Sequence, residues 1–496
     1  MHVNDVEKLS GEGEGRAATV SCVWCRSLLD RRTHRSIRRR SIGARAPWLF
    51  FIVVVVVVLA TNVPADAGVP SSSTMAAFGA PFLGAPAQRG PAVVGIVATT
   101  DGRGYYVLRS SGEVDAYGAP FYGALRAGSL PVDVTATGIA LDAVTGGYWI
   151  VTSNGVVRGF NAPYFGEPRI PSGGWGQYPA AVGIAAPLHG NGYYVLRANG
   201  AVDHFGVPSY GSLAGRLHYG AIAPIVAVAM AVDSVTGGYW IATSNGGVES
   251  FHAPFFGAPV TRPSGVDNTN PVTSIAAASG GRGYYVLRAN GDVENFGAPL
   301  LGSLSRSGGV PRGAADAIAI DAATGGYYVA IDATPLGGYL NPLRRVSALV
   351  PQEIDQGVDY CGSGPVYAIG NGVVTNLYDA QWPSGVFISY RLTSGSAKGL
   401  VVYVAENVTP SVTVGEHVTA MTIVGVVHDA KTCLETGWTL ASLPHGHVAG
   451  HAQFNGRNST AYGLNFSALL EALGARPGLV QPYGPSGTVP SAWPTW

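Results

Sequence analysis

The chain is 496 residues long, balances 30 Lys and Arg against 30 Asp and Glu, and contains 70 Gly, about twice the usual share, as turn-dense β architecture requires. Residues 1–67 hold 10 of the basic and 6 of the acidic residues, so the remaining 429 carry 20 against 24, a net of −4. No basic stripe is left there to neutralise phosphates, which excludes a nucleic-acid partner, and the length suffices for two sizeable cores.

Eight Arg lie between Arg26 and Arg45 against one acid, Asp30, and the fifteen residues from Ala46 to Ala60 are uncharged and almost wholly apolar. That run falls short of the ~20 residues a membrane-spanning helix needs. Ala65-Asp66-Ala67 after it fits a small-x-small cleavage site. The expectation for 1–67 is therefore a basic n-region and secretory signal, which places the mature chain outside the cell or on its surface. The alternative is an uncleaved anchor, and only then is a membrane a partner. The long n-region also leaves open a true start further along the chain. Cys22 and Cys25 form a C-x-x-C, alone a weak metal signal in a segment not expected to fold.

From there to about residue 343 the chain repeats itself. Gly followed by two aromatics begins at Gly104, Gly147, Gly192, Gly238, Gly283 and Gly326, a period of 43 to 46 residues. Each copy opens with a β-branched, small apolar run such as Val93–Thr99 or Val226–Val232, suited to a buried inner strand. The next strand alternates, with Tyr105, Val107 and Arg109 on one face and Tyr106 and Leu108 on the other, the pattern of a half-buried strand. Asn154-Gly155, Asn199-Gly200, Asn245-Gly246 and Asn290-Gly291 follow in four copies, and Asn-Gly is the strongest short hairpin signal because both residues of a type I′ turn need φ > 0. A third strand such as Gly200–Phe205 ends in Phe-Gly-x-Pro and a short outer strand, giving four strands per copy. A period in this range filled with short strands points to propeller blades.

Asp142, Asp233 and Asp321 each precede Thr and two Gly, and read as side chains capping their own turns, with a calcium loop as the alternative. Arg109, Arg197 and Arg288 recur on every second copy, as solvated or aromatic-stacked side chains or, alternatively, as a ring holding an anion. The run Ala77–Gly84 copies the end of a blade without its beginning, so it is expected to supply the last strand of the last blade and remove the exposed edges. These features resemble the Gly- and aromatic-rich propeller repeats of secreted bacterial wall-associated proteins. The resemblance spans residues 77 to about 343, and the six copies with this closure give the expectation of a six-bladed β-propeller over residues 68–345.

The second region, 346–480, reads as strands and turns until a short helix at Phe466–Leu473, which Gly474 ends. Its two cysteines, Cys361 and Cys433, are expected to form one disulfide in an oxidising compartment. The order Asp355-Gln-Gly-Val-Asp359, GPVYAIGNGVV, FISYRL, VVYVAENV, VTVGEHVTAMTIVGVV and CLETGW resembles the β core of the lysostaphin-like, LytM-type peptidoglycan metalloendopeptidases. The resemblance implies an all-β chain whose second domain is sandwich- or barrel-like.

Enzymes of that family hold zinc through a His, an Asp four residues later and the second His of a late His-x-His, while the other His and a Tyr-x-His assist. The matching positions here are Asp355, Asp359 and Glu435, with Cys433 and Ala405 in the assisting places and Glu406 adjacent. Only Asp359 keeps the family's residue, so no catalytic residue is assigned and no zinc is expected. The acids remain candidates for a hard cation, Ca²⁺ or Mg²⁺, or for attack on a glycosidic bond. The preferred reading is that they hydrogen-bond strand ends in an inactive domain, without a cofactor.

Against it stand His445, His447 and His451, spelled HGHVAGH, which form an alternative, displaced zinc site. Residues 481–496, rich in Pro, Gly and Ser, read as a flexible tail. The expected function is a secreted or surface-bound recognition or scaffold protein for peptidoglycan, another wall polymer or a surface protein. The competing readings are an active wall hydrolase and a protein–protein adaptor acting through the propeller.

Overall fold

The computed structural model describes residues 74–87, 91–126, 128–131, 134–168, 179–189, 191–217, 225–259, 269–305, 313–333, 338–378, 382, 386–427 and 433–496. The expected signal segment, the expected cleavage site and Cys22 and Cys25 lie outside them. Among the described residues no helix is long and apolar enough to cross a membrane.

Strand β1 (Met75–Phe78) precedes the first repeat, which forms β2 (Val93–Ala98), β3 (Tyr105–Arg109) and β4 (Val114–Tyr117). The second copy forms β5 (Ala136–Leu141), β6 (Tyr148–Thr152) and β7 (Val157–Phe160), and the third β8 (Ala181–Ala185), β9 (Tyr193–Arg197) and β10 (Val202–Phe205). The fourth forms β11 (Ala227–Val232), β12 (Tyr239–Thr243) and β13 (Val248–Phe251), and the fifth β14 (Val272–Ala277), β15 (Tyr284–Arg288) and β16 (Val293–Phe296). The sixth supplies only β17 (Gly313–Ile320) and β18 (Tyr327–Ala333), and its third strand is β1, with Met75 opposite Ala330 and Phe78 opposite Tyr327. Among the described residues these make six antiparallel three-stranded sheets, consistent with propeller blades. The first strand of each touches that of the next, β2 against β5 and so on to β14 against β17, and β17 returns to β2.

Two expectations are corrected. The strands read as half-buried are buried on both faces, all five residues of Tyr105–Arg109 included, because each is the middle strand of its sheet and the sheets stack face to face. The fourth strand is absent from the described part of each sheet. The backbone at the proline that closes each third strand gives its carbonyl to a side chain: after Phe-Gly-x-Pro, Tyr194 Oη donates to Pro208 O at 3.0 Å and Tyr285 Oη to Pro299 O at 2.9 Å, and at the matching Phe-Asn-Ala-Pro and Phe-His-Ala-Pro, Trp149 Nε1 donates to Pro163 O at 2.7 Å and Trp240 Nε1 to Pro254 O at 2.8 Å. The first aromatic of each doublet reaches the preceding copy instead, as Tyr148 does to Gly123 O and Tyr284 to Gly257 O. The doublet thus ties each sheet to its own outer segment and to its neighbour's. Glycine precedes it because two backbones meet there: a Cβ on Gly104 would lie 2.5 Å from Tyr117 O.

The Asp turns are as expected, Asp142 accepting from Val144 N at 3.1 Å and from Thr145 Oγ1 at 2.7 Å, with Asp233 and Asp321 repeating the pattern. Arg109, Arg197 and Arg288 are neither solvated nor a ring around an anion. Each is buried and pairs with the acid six residues on, across the hairpin: Arg109 Nε with Asp115 at 3.0 Å, Arg197 with Asp203 at 2.6 Å and Arg288 with Glu294 at 2.5 Å. Their Nη1 groups bond the carbonyls of Pro91, Pro179 and Asn270. Because Arg197 is only 2% exposed, Arg197→Ala is expected to cost about 2 to 3 kcal/mol by leaving Asp203 and Pro179 O without their donors. Urea unfolding of the variant measures this, and an unchanged midpoint would refute it.

The C-terminal region adds β19 (Ser347–Ile354), β20 (Val358–Tyr367), β21 (Gly372–Tyr378), β22 (Phe387–Leu392), β23 (Val401–Ala405), β24 (Val408–Pro410), β25 (His417–Val418), β26 (Ile423–Val427) and β27 (Cys433–Thr439). After β28 (Ser459–Thr460) come α1 (Ala461–Ala472), β29 (Leu479–Val480) and β30 (Pro485–Ser486). One ten-stranded sheet runs β24-β26-β20-β27-β23-β22-β21-β25, with β19 on β20 and β29 on β19. Helix α1 buries Phe466, Leu469 and Leu470 against Trp438 and Val358 of this sheet. It begins five residues before the expected start, because Thr460 caps it by accepting from Gly463 N at 3.1 Å, and Gly474, at φ +87°, ends it.

Residues 481–496, read as a loose tail, are instead packed. Pro485–Ser486 pairs with Ser459–Thr460, and the Trp493 ring lies 5.5 Å from Trp438 and 5.1 Å from Tyr462. Burial of a large aromatic anchors a segment whose Pro, Gly and Ser content alone would leave free. The sheet region and the ring of small sheets share one compact unit. They are joined by Arg345 on Asp316 at 2.7 Å and by Arg476 near Pro131 O.

Candidate functional site

The four acids singled out in the sequence come together at one end of β20, β23 and β27. Asp355 lies in the turn between β19 and β20 and accepts from Gly357 N at 3.1 Å. Asp359 on β20 stands opposite Glu435 on β27, and Ala405 at the end of β23 stands on Glu435's other side. Glu406, next in the chain, has φ +62° and is followed by Asn407 at +47°, two non-glycine residues in the left-handed region. Asn407 Nδ2 holds this turn by donating to Cys433 O at 2.8 Å. Strained backbone of this kind concentrates at functional sites.

Two residues beyond the Asp359–Glu435 pair, Cys361 and Cys433 face each other and form the expected disulfide. Glu435 is 4% exposed, and Tyr403, two residues before Ala405, donates its hydroxyl to Glu435 Oε1. The two groups meet over Gly357, where a Cβ would lie 2.3 Å from the Tyr403 hydroxyl, so any other residue would part them. Tyr403 was not singled out as a site residue, although it stands two residues before Ala405, which the sequence resemblance put in an assisting place, and so could have been. Its ring stacks on Phe387 at 5.1 Å, with Trp382 6.0 Å away, and the Phe387 and Tyr403 rings are buried in a small core with Val448, leaving Trp382 partly exposed at its rim.

Burial, then mutual repulsion, sets the protonation of the group. Burial foremost, and then Asp355, Glu406 and Glu353, push Asp359 up to about 8. Glu435 is driven well above the carboxylate range by burial and by Asp355 and Asp359, although the Tyr403 hydrogen bond acts the other way. Asp355 and Glu406 are raised too, chiefly by burial. At neutral pH Asp359 and Glu435 therefore hold protons, and they can donate hydrogen bonds or a proton as ordinary carboxylates cannot.

The histidines belong to the loop after β27 that folds back over the same end. Thr439 Oγ1 donates to His447 O at 2.6 Å, and His451 Nδ1 donates to Gln356 Oε1 at 3.0 Å, beside Asp355. The His447 and His451 rings are 6.1 Å apart and perpendicular, and His445 precedes the tight turn at Gly446. Sequence order set this loop apart from the acids, and the fold brings it to them. Among the described residues, no three His, Cys, Asp or Glu side chains gather as a ligand set for a metal ion. No protein-family model matches the chain, and no curated protein is significantly similar to it.

Proposed function

We propose that this chain is a secreted, surface-associated recognition or scaffold protein, a six-bladed β-propeller carrying a LytM-like domain that no longer hydrolyses but still holds peptidoglycan or another wall polymer. The observation that carries this reading is the engaged state of the positions where such a peptidase would keep zinc and its assisting histidine. Glu435 is buried under the Tyr403 hydroxyl, and Cys433 is tied to Cys361. Neither offers the imidazole nitrogen that catalytic zinc favours. What remains, the partly exposed carboxyls of Asp355, Asp359 and Glu406 with Trp382 at the rim of the buried Phe387–Tyr403 pair, suits a polyhydroxylated or amide-bearing ligand, which takes hydrogen bonds along its edge and lays its apolar face on Trp382.

An active hydrolase is the second reading, favoured by His451 lying against the turn that carries Asp355. Incubating the purified chain with bacterial sacculi, once with zinc and once with chelator, separates the two. The expected result is that the protein sediments with the sacculi and releases no soluble peptide under either condition, while Trp382→Ala binds about tenfold more weakly. Zinc-dependent release would overturn the proposal in favour of the hydrolase. Absence of sedimentation would overturn wall binding.

A further inference from the structure

A cavity of about 720 Å³ lies between the ring of small sheets and the C-terminal sheet. On the ring side it is lined by the starts of the innermost strands, including Val94, Val182, Val226, Val228 and Val272. Leu343, Val346 and Val427 face them from the other side. The volume and the apolar lining are those of a small-molecule pocket.

The charged lining is of one sign. Arg344, Arg345 and Arg476 contribute to the wall, and among the described residues no Asp or Glu does. Arg344 is fixed by donating to Asn341 O at 2.9 Å and Ala420 O at 2.8 Å and by lying 3.9 Å from the Tyr367 ring centre, contacts that orient its charge without neutralising it. Arg345 is held by Asp316 at 2.7 Å. The carboxylates acting on this pair, Asp316 and Asp332, stand outside the wall, and burial and Asp316 push Asp332 up to about 7, so they do not fully cancel Arg344 and Arg345 at neutral pH. Cations beside apolar surface are costly unless an anion meets them, and arginine gives such an anion forked donors.

We propose that this cavity is a binding site for a small amphiphilic anion, an apolar body lying along the ring-side valines with one acidic head on Arg344, Arg345 and Arg476. The site shares no residue with the carboxylate cluster and does not depend on wall binding. Isothermal titration of the intact chain with decanoate, and with 1-decanol as its uncharged counterpart, tests it. Decanoate is expected to bind saturably with one site per chain and at least tenfold more tightly than decanol, the scale of one charge-assisted contact. Arg476→Gln should weaken decanoate about tenfold, and Val228→Phe, which fills the apolar end, should abolish its binding while both variants still unfold cooperatively. Absence of saturable heat with the unaltered chain would overturn the proposal, whatever the variants do. So would equal affinity for decanol, or full-strength binding to Val228→Phe.

Discussion

Raising the pH from about 4 to about 8 is expected to destabilise the C-terminal sheet, and Asp359→Asn to remove much of that dependence. Asp359 titrates near 3.8 when unfolded and near 8 in place, because burial and then Asp355, Glu406 and Glu353 favour its neutral form. Between those limits the folded chain keeps a proton that the unfolded chain releases, so stability is full below the lower value and is lost as the pH climbs to the upper one. Each pH unit costs at most about 1.4 kcal/mol per group, and with solvent reaching part of the side chain we expect a loss on the order of 3 kcal/mol from Asp359. Glu435, raised from the same causes, acts in the same direction. Urea midpoints at pH 4, 6 and 8 give the measurement. Asp359→Asn should match the parent at pH 4 and exceed it by about 2 to 3 kcal/mol at pH 8. A constant offset between the two at all three values would mean that Asp359 is not held neutral by the fold.

That behaviour was only partly legible in the sequence. That Asp355, Asp359 and Glu435 share one site was expected only from the resemblance to LytM-type sequences, and the antiparallel pairing of β20 with β27 is what sets Asp359 opposite Glu435. Protonation was not legible, because it follows from how deeply Glu435 is buried and from the Tyr403 hydroxyl that meets it over Gly357. That the histidine loop lies beside the acids was not legible for a related reason. His451 reaches Gln356 across 95 residues of chain, and no local pattern encodes a contact of that range. In the repeats the situation reverses: the Asn-Gly pairs mark the hairpins, although only Gly155, Gly200, Gly246 and Gly291 take positive φ and the expected type I′ pair is not formed, and the Gly-aromatic doublets and the Ala77–Gly84 run mark the sheets and the closing strand, which spans Met75–Phe78. The arginine pairs could have been read as well, since Arg109 with Asp115, Arg197 with Asp203 and Arg288 with Glu294 share one spacing across a hairpin.

Reduction of the Cys361–Cys433 disulfide should have a comparable effect on the same sheet, and the two effects should not be additive. The bridge closes a loop of 72 residues, and losing it returns about 4 kcal/mol of chain entropy to the unfolded state. Thermal melts with and without a phosphine reductant, and of the Cys361→Ser, Cys433→Ser double variant, should show a clearly lower midpoint, whereas coincident melts would refute the contribution. The coupling follows from register, because Cys361 opposite Cys433 lies two residues along the same ladder from Asp359 opposite Glu435. If release of the bridge lets this end of β20 and β27 fray, water reaches the acids and their proton affinity falls toward the ordinary carboxylate range. Asp359→Asn should then stabilise the reduced chain at pH 8 by less than it stabilises the oxidised one, a difference that a double-mutant cycle reads directly. An identical gain in both redox states would mean that the disulfide tethers the two strands without controlling the solvation of the acids beside it.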